Sequence, residues 1–127
     1  MKEIITTEKA PAAIGTYSQA VKVGDLVFLS GQIPLHPETM EMIVNDFKEE
    51  ARQVFRNLEA VSKAAGGSLQ NLVKVNVYLT DMINFPSVNE VMMEFCQPPF
   101  PARAVIAVSA LPKNARIEID AVLHCQA

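Results

Sequence analysis

The sequence predicts an α+β fold in which one mixed β-sheet carries two helices on a single face, in the order β-β-β-α-β-α-β-β. Three observations carry this expectation. Apolar residues fall at helical spacing over 47–65 and again after Asn84, and alternate with a period of two over 73–79 between them. Helical segments follow a run of strands, an order that stacks them as a layer on one sheet. The length, 127 residues, lies near the mode for one domain, so residues 1–127 read as a single unit with room for an ordinary core.

The segment Ala10-Pro11-Ala12-Ala13-Ile14-Gly15-Thr16 is small and carries Pro and Gly, so it reads as an irregular loop. Val21 to Val23 and Leu26 to Leu29, parted by Gly24-Asp25, read as a hairpin or two adjacent strands. They are two of the three strands expected before the first helix. A second irregular stretch passes through Pro34, Pro37 and Thr39. From Asp46, the residues Phe47, Ala51, Val54, Phe55, Leu58, Val61 and Ala65 recur at helical spacing, and Asp46 with Glu49 resembles a capping box. Gly66-Gly67 ends that helix. Val73, Val75, Val77 and Leu79 then alternate with polar residues as in a half-buried strand. A shorter helix follows Asn84, with Val88, Val91, Met92 and Phe95 on one face and Pro86 in its first turn. The Pro-rich run 97–101 stops it. Strands over Ala102 to Val108 and Arg116 to Leu123 close the chain around a turn at Pro112-Lys113-Asn114.

On strand 102–108, Ala104, Ile106 and Val108 point one way while Arg103, Val105 and Ala107 point the other. Both faces are apolar, yet two helices cover only one. An uncovered apolar sheet face predicts a subunit interface.

Composition narrows the function classes. Hydrophobic residues make up 50% of the chain, but its uncharged apolar runs are too short to span a bilayer. Lys2, Glu3 and Glu8 leave no apolar stretch for a secretory leader, so a soluble cytoplasmic protein is expected. Eleven basic against 14 acidic residues give a net charge of −3, and no basic cluster is present. Nucleic-acid binding is therefore disfavoured. Cys96 and Cys125 form neither a CxxC pair nor a disulfide framework, and His36 and His124 are the only histidines, so no metal site is expected.

Arg103 is the most informative residue. It enters an apolar strand directly after Pro101-Ala102, where an unpaired charge is costly. Its partner is either Glu118, which projects opposite Ile117 and Ile119, or the carboxylate of a ligand, which a guanidinium binds through two parallel hydrogen bonds. Ser30-Gly31-Gln32 follows the apolar run Val27-Phe28-Leu29. It is either a strand-ending turn or a place where glycine lets a ligand approach the backbone. Tyr17 and Ser18 lie in the preceding loop, and Asn89 sits early in the second helix as a cap or as a group reaching across an interface. The methionines at 40, 42, 92 and 93 read as packing.

Several ordered blocks together resemble the RidA (YjgF) family of enamine/imine deaminases over nearly the whole chain. They are residues 10–20, Ser30-Gly31-Gln32-Ile33-Pro34, residues 73–81, Val88-Asn89, Phe100-Pro101-Ala102-Arg103, and Leu111-Pro112-Lys113 leading into Ile117-Glu118-Ile119. The resemblance implies a chorismate-mutase-like fold and a homotrimer with its sites between neighbouring chains. It also implies hydrolysis of 2-aminoacrylate, 2-iminopropanoate or 2-iminobutanoate to 2-oxo acids and ammonia, without a cofactor. Arg103 would hold the substrate carboxylate and Glu118 would activate water. Gly31 would supply a backbone N–H, with Tyr17, Ser30 and Asn89 lining the cleft and the Val105 N–H near the carboxylate. The implied setting is clearance of imines released by pyridoxal-phosphate-dependent threonine or serine dehydratases. The chain departs from the family pattern at Val105 (often Cys), Thr16 (usually Pro) and Met92 (commonly aromatic), which leaves substrate size open. The other implied readings are a non-catalytic trimer that binds 2-oxo acids and a ribonuclease, against which the acidic charge balance counts.

Overall fold

The computed structural model describes residues 1–125. Its strands are β1 (Glu3–Ile5), β2 (Ala20–Val23), β3 (Leu26–Gln32), β4 (Leu72–Leu79), β5 (Ala102–Ala107) and β6 (Ile117–His124). They form one sheet in the order β1-β2-β3-β6-β4-β5. Neighbours are antiparallel except β4 and β5, which run parallel. With helices α1 (Phe47–Ala64) and α2 (Phe85–Phe95), this is the mixed sheet and element order that the sequence predicts. The third strand expected before the first helix is β1.

Local chemistry accounts for most of the boundaries. Val23 pairs with Leu26 across the two-residue turn Gly24-Asp25, and Gly24 takes the positive φ (+59°) that such a turn favours. Asp46 caps α1 by accepting the Glu49 N–H at 2.9 Å, and Gly66 (φ +92°) follows its end. The crossover through α2 brings the chain back to the same end of the sheet, which a parallel β4–β5 pair requires.

The core lies between the helices and one face of the sheet. Val27, Leu29, Val75, Val77, Leu79, Ile117, Ile119 and Leu123 meet Val54, Phe55, Leu58 and Val61 of α1 and Val88 and Val91 of α2. Phe55 stacks on Phe95 with ring centroids 5.3 Å apart, which joins the two helices. The opposite face has no helix over it. It shows Phe28 at 47% exposure and Ile106 at 49%. The described residues contain no helix long and apolar enough to cross a membrane.

One expected core residue is not in the core. Val73 is exposed because the β4–β6 register shifts between Leu72 and Lys74, so one extra residue bulges out of the ladder. The alternation resumes beyond it, with Val75, Val77 and Leu79 buried.

A clamp ties α1 to the start of β6. Arg116 donates to both carboxylate oxygens of buried Glu50, at 3.1 and 2.6 Å, and to the Asn45 carbonyl at 3.1 Å, and it lies over the Phe47 ring. Replacing Arg116 by Met leaves the Glu50 carboxylate buried without its main donors. Urea unfolding of Arg116→Met is expected to show a loss of about 2 kcal/mol.

Candidate active site

Two groups of residues answer to the chemistry read from the sequence, and they lie on opposite faces of the sheet. The first is built on β5 and α2. Arg103 pairs in register with buried Val75, so its side chain points to the helix side. There it donates through Nη1 to Asn89 Oδ1 at 2.6 Å, lies 3.9 Å from Met92 Sδ, and packs over the Phe85 ring with Cζ 5.3 Å from the centroid. Val105, two residues along, faces the same way and packs against the core. A cavity beside the guanidinium is lined by Asn89, Met92, Met93, Phe100, Pro101 and Arg103. Among the described residues no carboxylate lies within ion-pair distance of Arg103. The ion pair with Glu118 considered from the sequence is therefore absent within the chain, because side chains at these two positions leave the sheet in opposite directions. Nor is Asn89 a cap. It lies inside α2, and its carbonyl oxygen holds Arg103.

The second group surrounds Glu118. That residue alternates with buried Ile117 and Ile119 and so points to the open face. Its cavity is also lined by Tyr17, Ser30, Gly31, Pro112 and Lys113. Ser30 and Gly31 do not end a strand. The β3–β6 register shifts between Leu29 and Gln32, so β3 carries an extra residue through this point and continues to Gln32. The bulge brings the Gly31 backbone against Glu118. A Cβ placed on Gly31 would lie 2.2 Å from Glu118 Oε2 and 2.9 Å from Cδ, so only glycine fits while the carboxyl keeps its position. Ser30 is held from both ends, its N–H donating to Gln19 O at 3.0 Å and its hydroxyl to Ser18 O at 2.5 Å. Gln19 in turn fixes the 7–11 loop through the Pro11 carbonyl at 2.7 Å and the Thr7 N–H at 2.7 Å.

The Glu118 carboxyl is pushed above the ordinary glutamate range, first by burial and then by the charge of Asp120. A raised proton affinity suits a group that takes a proton from water and later returns it.

The family model described as Endoribonuclease L-PSP matches residues 7–125. The chain belongs to this family, the RidA/YjgF proteins. A curated member from Dermatophagoides farinae, named 2-iminobutanoate/2-iminopropanoate deaminase, is 48% identical over 96% of this chain and 95% of its own length. The crystal structure of RidA from an Antarctic Psychrobacter is 52% identical with a TM-score of 0.93, covering 96% of this chain and 98% of that one. The crystal structure of E. coli TdcF with bound serine is 39% identical with a TM-score of 0.91, covering 98% and 99%. In this RidA/YjgF chain, sequence reasoning passed over Phe85, which supports the Arg103 guanidinium, and Asp120, which acts on Glu118. Asp120 was within reach of the alternation that singled out Glu118, since it is the next residue on the same face of β6. Phe85 gave no such signal, because its position under Arg103 depends on how α2 meets β5.

Proposed function

We propose that this protein hydrolyses 2-imino acids, and the enamines that tautomerise to them, to 2-oxo acids and ammonia at sites shared between neighbouring copies of the chain in a homotrimer. The observation that carries this reading is Arg103, a guanidinium steadied by Asn89 and Phe85 at a cavity and lacking a carboxylate partner among the described residues. A guanidinium in that setting fits a ligand carboxylate. The relative named as a deaminase of 2-iminobutanoate and 2-iminopropanoate and the relative with bound serine both point to small α-carboxylates.

The separation of the two residue groups supports a shared site. Arg103, Asn89 and Val105 of one chain would complete the Glu118, Gly31, Ser30 and Tyr17 group of the next. The exposed apolar face with Phe28 and Ile106 supplies surface for that contact.

In the proposed reaction Arg103 orients the substrate carboxylate, with the Val105 N–H beside it, and the Gly31 N–H and the Tyr17 and Ser30 hydroxyls line the cleft. Water adds to the C=N carbon of the protonated imine as Glu118 takes one of its protons, giving a carbinolamine. The protonated Glu118 then gives that proton to the amine nitrogen, the C–N bond breaks, and the hydroxyl proton passes to the departing ammonia, giving ammonium and a 2-oxo acid. No step draws on a metal or cofactor. The substrates fit the products of pyridoxal-phosphate-dependent threonine and serine dehydratases, and the setting is taken as cytoplasmic.

The test follows 2-oxobutanoate formation from threonine by a dehydratase while semicarbazide competes for the imine. Wild-type protein is expected to accelerate the release. Arg103→Ala, verified as trimeric, is expected to lose on the order of 10- to 100-fold of that effect. Absence of acceleration with several amino-acid precursors, together with retained 2-oxo-acid binding, would replace the enzyme by the non-catalytic binding trimer.

A further inference from the structure

We infer that Asp120, anchored by Asn76 and Tyr78, is a positioning residue that holds a fixed negative charge beside Glu118 and so keeps that carboxyl a strong enough base to take a proton from water. The inference rests on the proposed role of Glu118. Asp120 follows it by two residues on the same face of β6, at a rise of about 3.3 Å per residue. Asp120 Oδ1 accepts from Asn76 Nδ2 at 2.7 Å, and Oδ2 accepts from the Tyr78 hydroxyl at 2.9 Å. Both donors come from β4, where Asn76 pairs with Asp120 and Tyr78 pairs with Glu118 itself. The two anchors fix the carboxylate's direction, and being neutral they leave its charge uncancelled.

A second carboxylate on this face is not what packing alone would select. Strand neighbours facing the same side include Phe28, Val122 and Ile106, and like charges two residues apart on a half-buried face repel. The other titratable groups on the face are Tyr78 and Lys74 of β4 and His124 of β6, with Tyr17 of the loop before β2 and Lys113 of the β5–β6 connection lining the Glu118 cavity and, in the proposed trimer, Arg103 of the next chain completing it. Lys74 pairs with Val122, further along the sheet from Glu118 than Tyr78. From β3 and β5 the face receives the uncharged Phe28, Ser30, Ala104 and Ile106. The electrostatics of the site agree. The charge of Asp120 adds to burial in raising Glu118, and its hydrogen bond is the main cause that raises Tyr78, keeping the phenol protonated as a donor.

The experiment pairs two readouts on the full-length protein: carbon NMR titration of the glutamate carboxyls, with Glu118 assigned through Glu118→Gln, and the pH profile of kcat/KM for imine hydrolysis. Asp120→Asn keeps the shape and removes the charge. It is expected to lower the pH at which Glu118 titrates and to move the acid limb of the profile to lower pH with it. Should Asp120→Asn fail to fold, Asn76→Ala and Tyr78→Phe each release one anchor and are expected to give the same downward movement, smaller in size. An unmoved Glu118 titration in these variants, with Glu118→Gln inactive, overturns the inference and leaves the proposed reaction standing. Full turnover by Glu118→Gln overturns the reading of Glu118, and the inference with it.

Discussion

Glu118→Gln is expected to lower the rate of imine hydrolysis by roughly 10²- to 10⁴-fold, the range in which a positioned proton-transfer group contributes. The same substitution is expected to raise the thermal unfolding midpoint near neutral pH. The sign follows from linkage. Folding raises the proton affinity of Glu118, so the stabilisation that group provides is present when it is protonated and is lost as pH rises through its folded-state titration. At neutral pH the native state therefore carries a partly buried carboxylate that it disfavours, and the neutral amide removes that burden. The stability gain should shrink on acidification and vanish below the ordinary carboxylate range. Calorimetry across pH, run beside the activity assay, checks both halves. A variant that is inactive and less stable at neutral pH would show that Glu118 serves the fold instead.

Gly31→Ala is expected to cost on the order of 10²-fold in kcat/KM while changing stability by no more than about 1 kcal/mol. The added Cβ would meet Glu118 Oε2 at 2.2 Å and Cδ at 2.9 Å, contacts that real Cβ atoms essentially never make. The obstructing atoms belong to the end of a movable side chain, so the carboxyl swings away and the backbone stays. Gly31 has no left-handed φ to defend, which removes strain as an alternative cause. The variant thus separates the position of Glu118 from its chemistry. A Gly31→Ala protein with wild-type kcat/KM would mean that the carboxyl works from elsewhere, and carboxyl NMR of the same variant would show whether it had moved.

These expectations make the two faces of the sheet chemically unequal. One carries a guanidinium steadied by α2, the other a carboxyl pressed against a glycine and flanked by a second, anchored carboxylate. A monomer presents both halves and unites neither. In the homotrimer proposed above, the apolar open face would both stabilise assembly and bring the second half of the chemistry to the first, which would couple activity to assembly.

What the sequence by itself determined is what short-range rules control. The stripe of apolar residues from Phe47 to Ala65, the Asp46 cap and the glycines after it define α1, because a helix closes its hydrogen bonds within four residues. The alternation around Val75 and Ile117 marks strands, because successive side chains leave a strand on opposite sides. Arg103 and Glu118 stood out for the same local reason, as charges set into apolar runs. Only the tertiary structure decided the rest. The bulges at Val73 and at Ser30-Gly31 exist because β6 pairs with strands far from it in the chain, and no local pattern states that register. That register is also what seats Gly31 against Glu118 and brings Asn76 and Tyr78 to Asp120 across more than 40 residues. Which face each residue joins likewise depends on where the helices pack, which is why Arg103 found Asn89 and Phe85 and not Glu118. Periodicity shows that a side chain turns to one side of a strand, whereas the partner waiting there is set by contacts between distant segments.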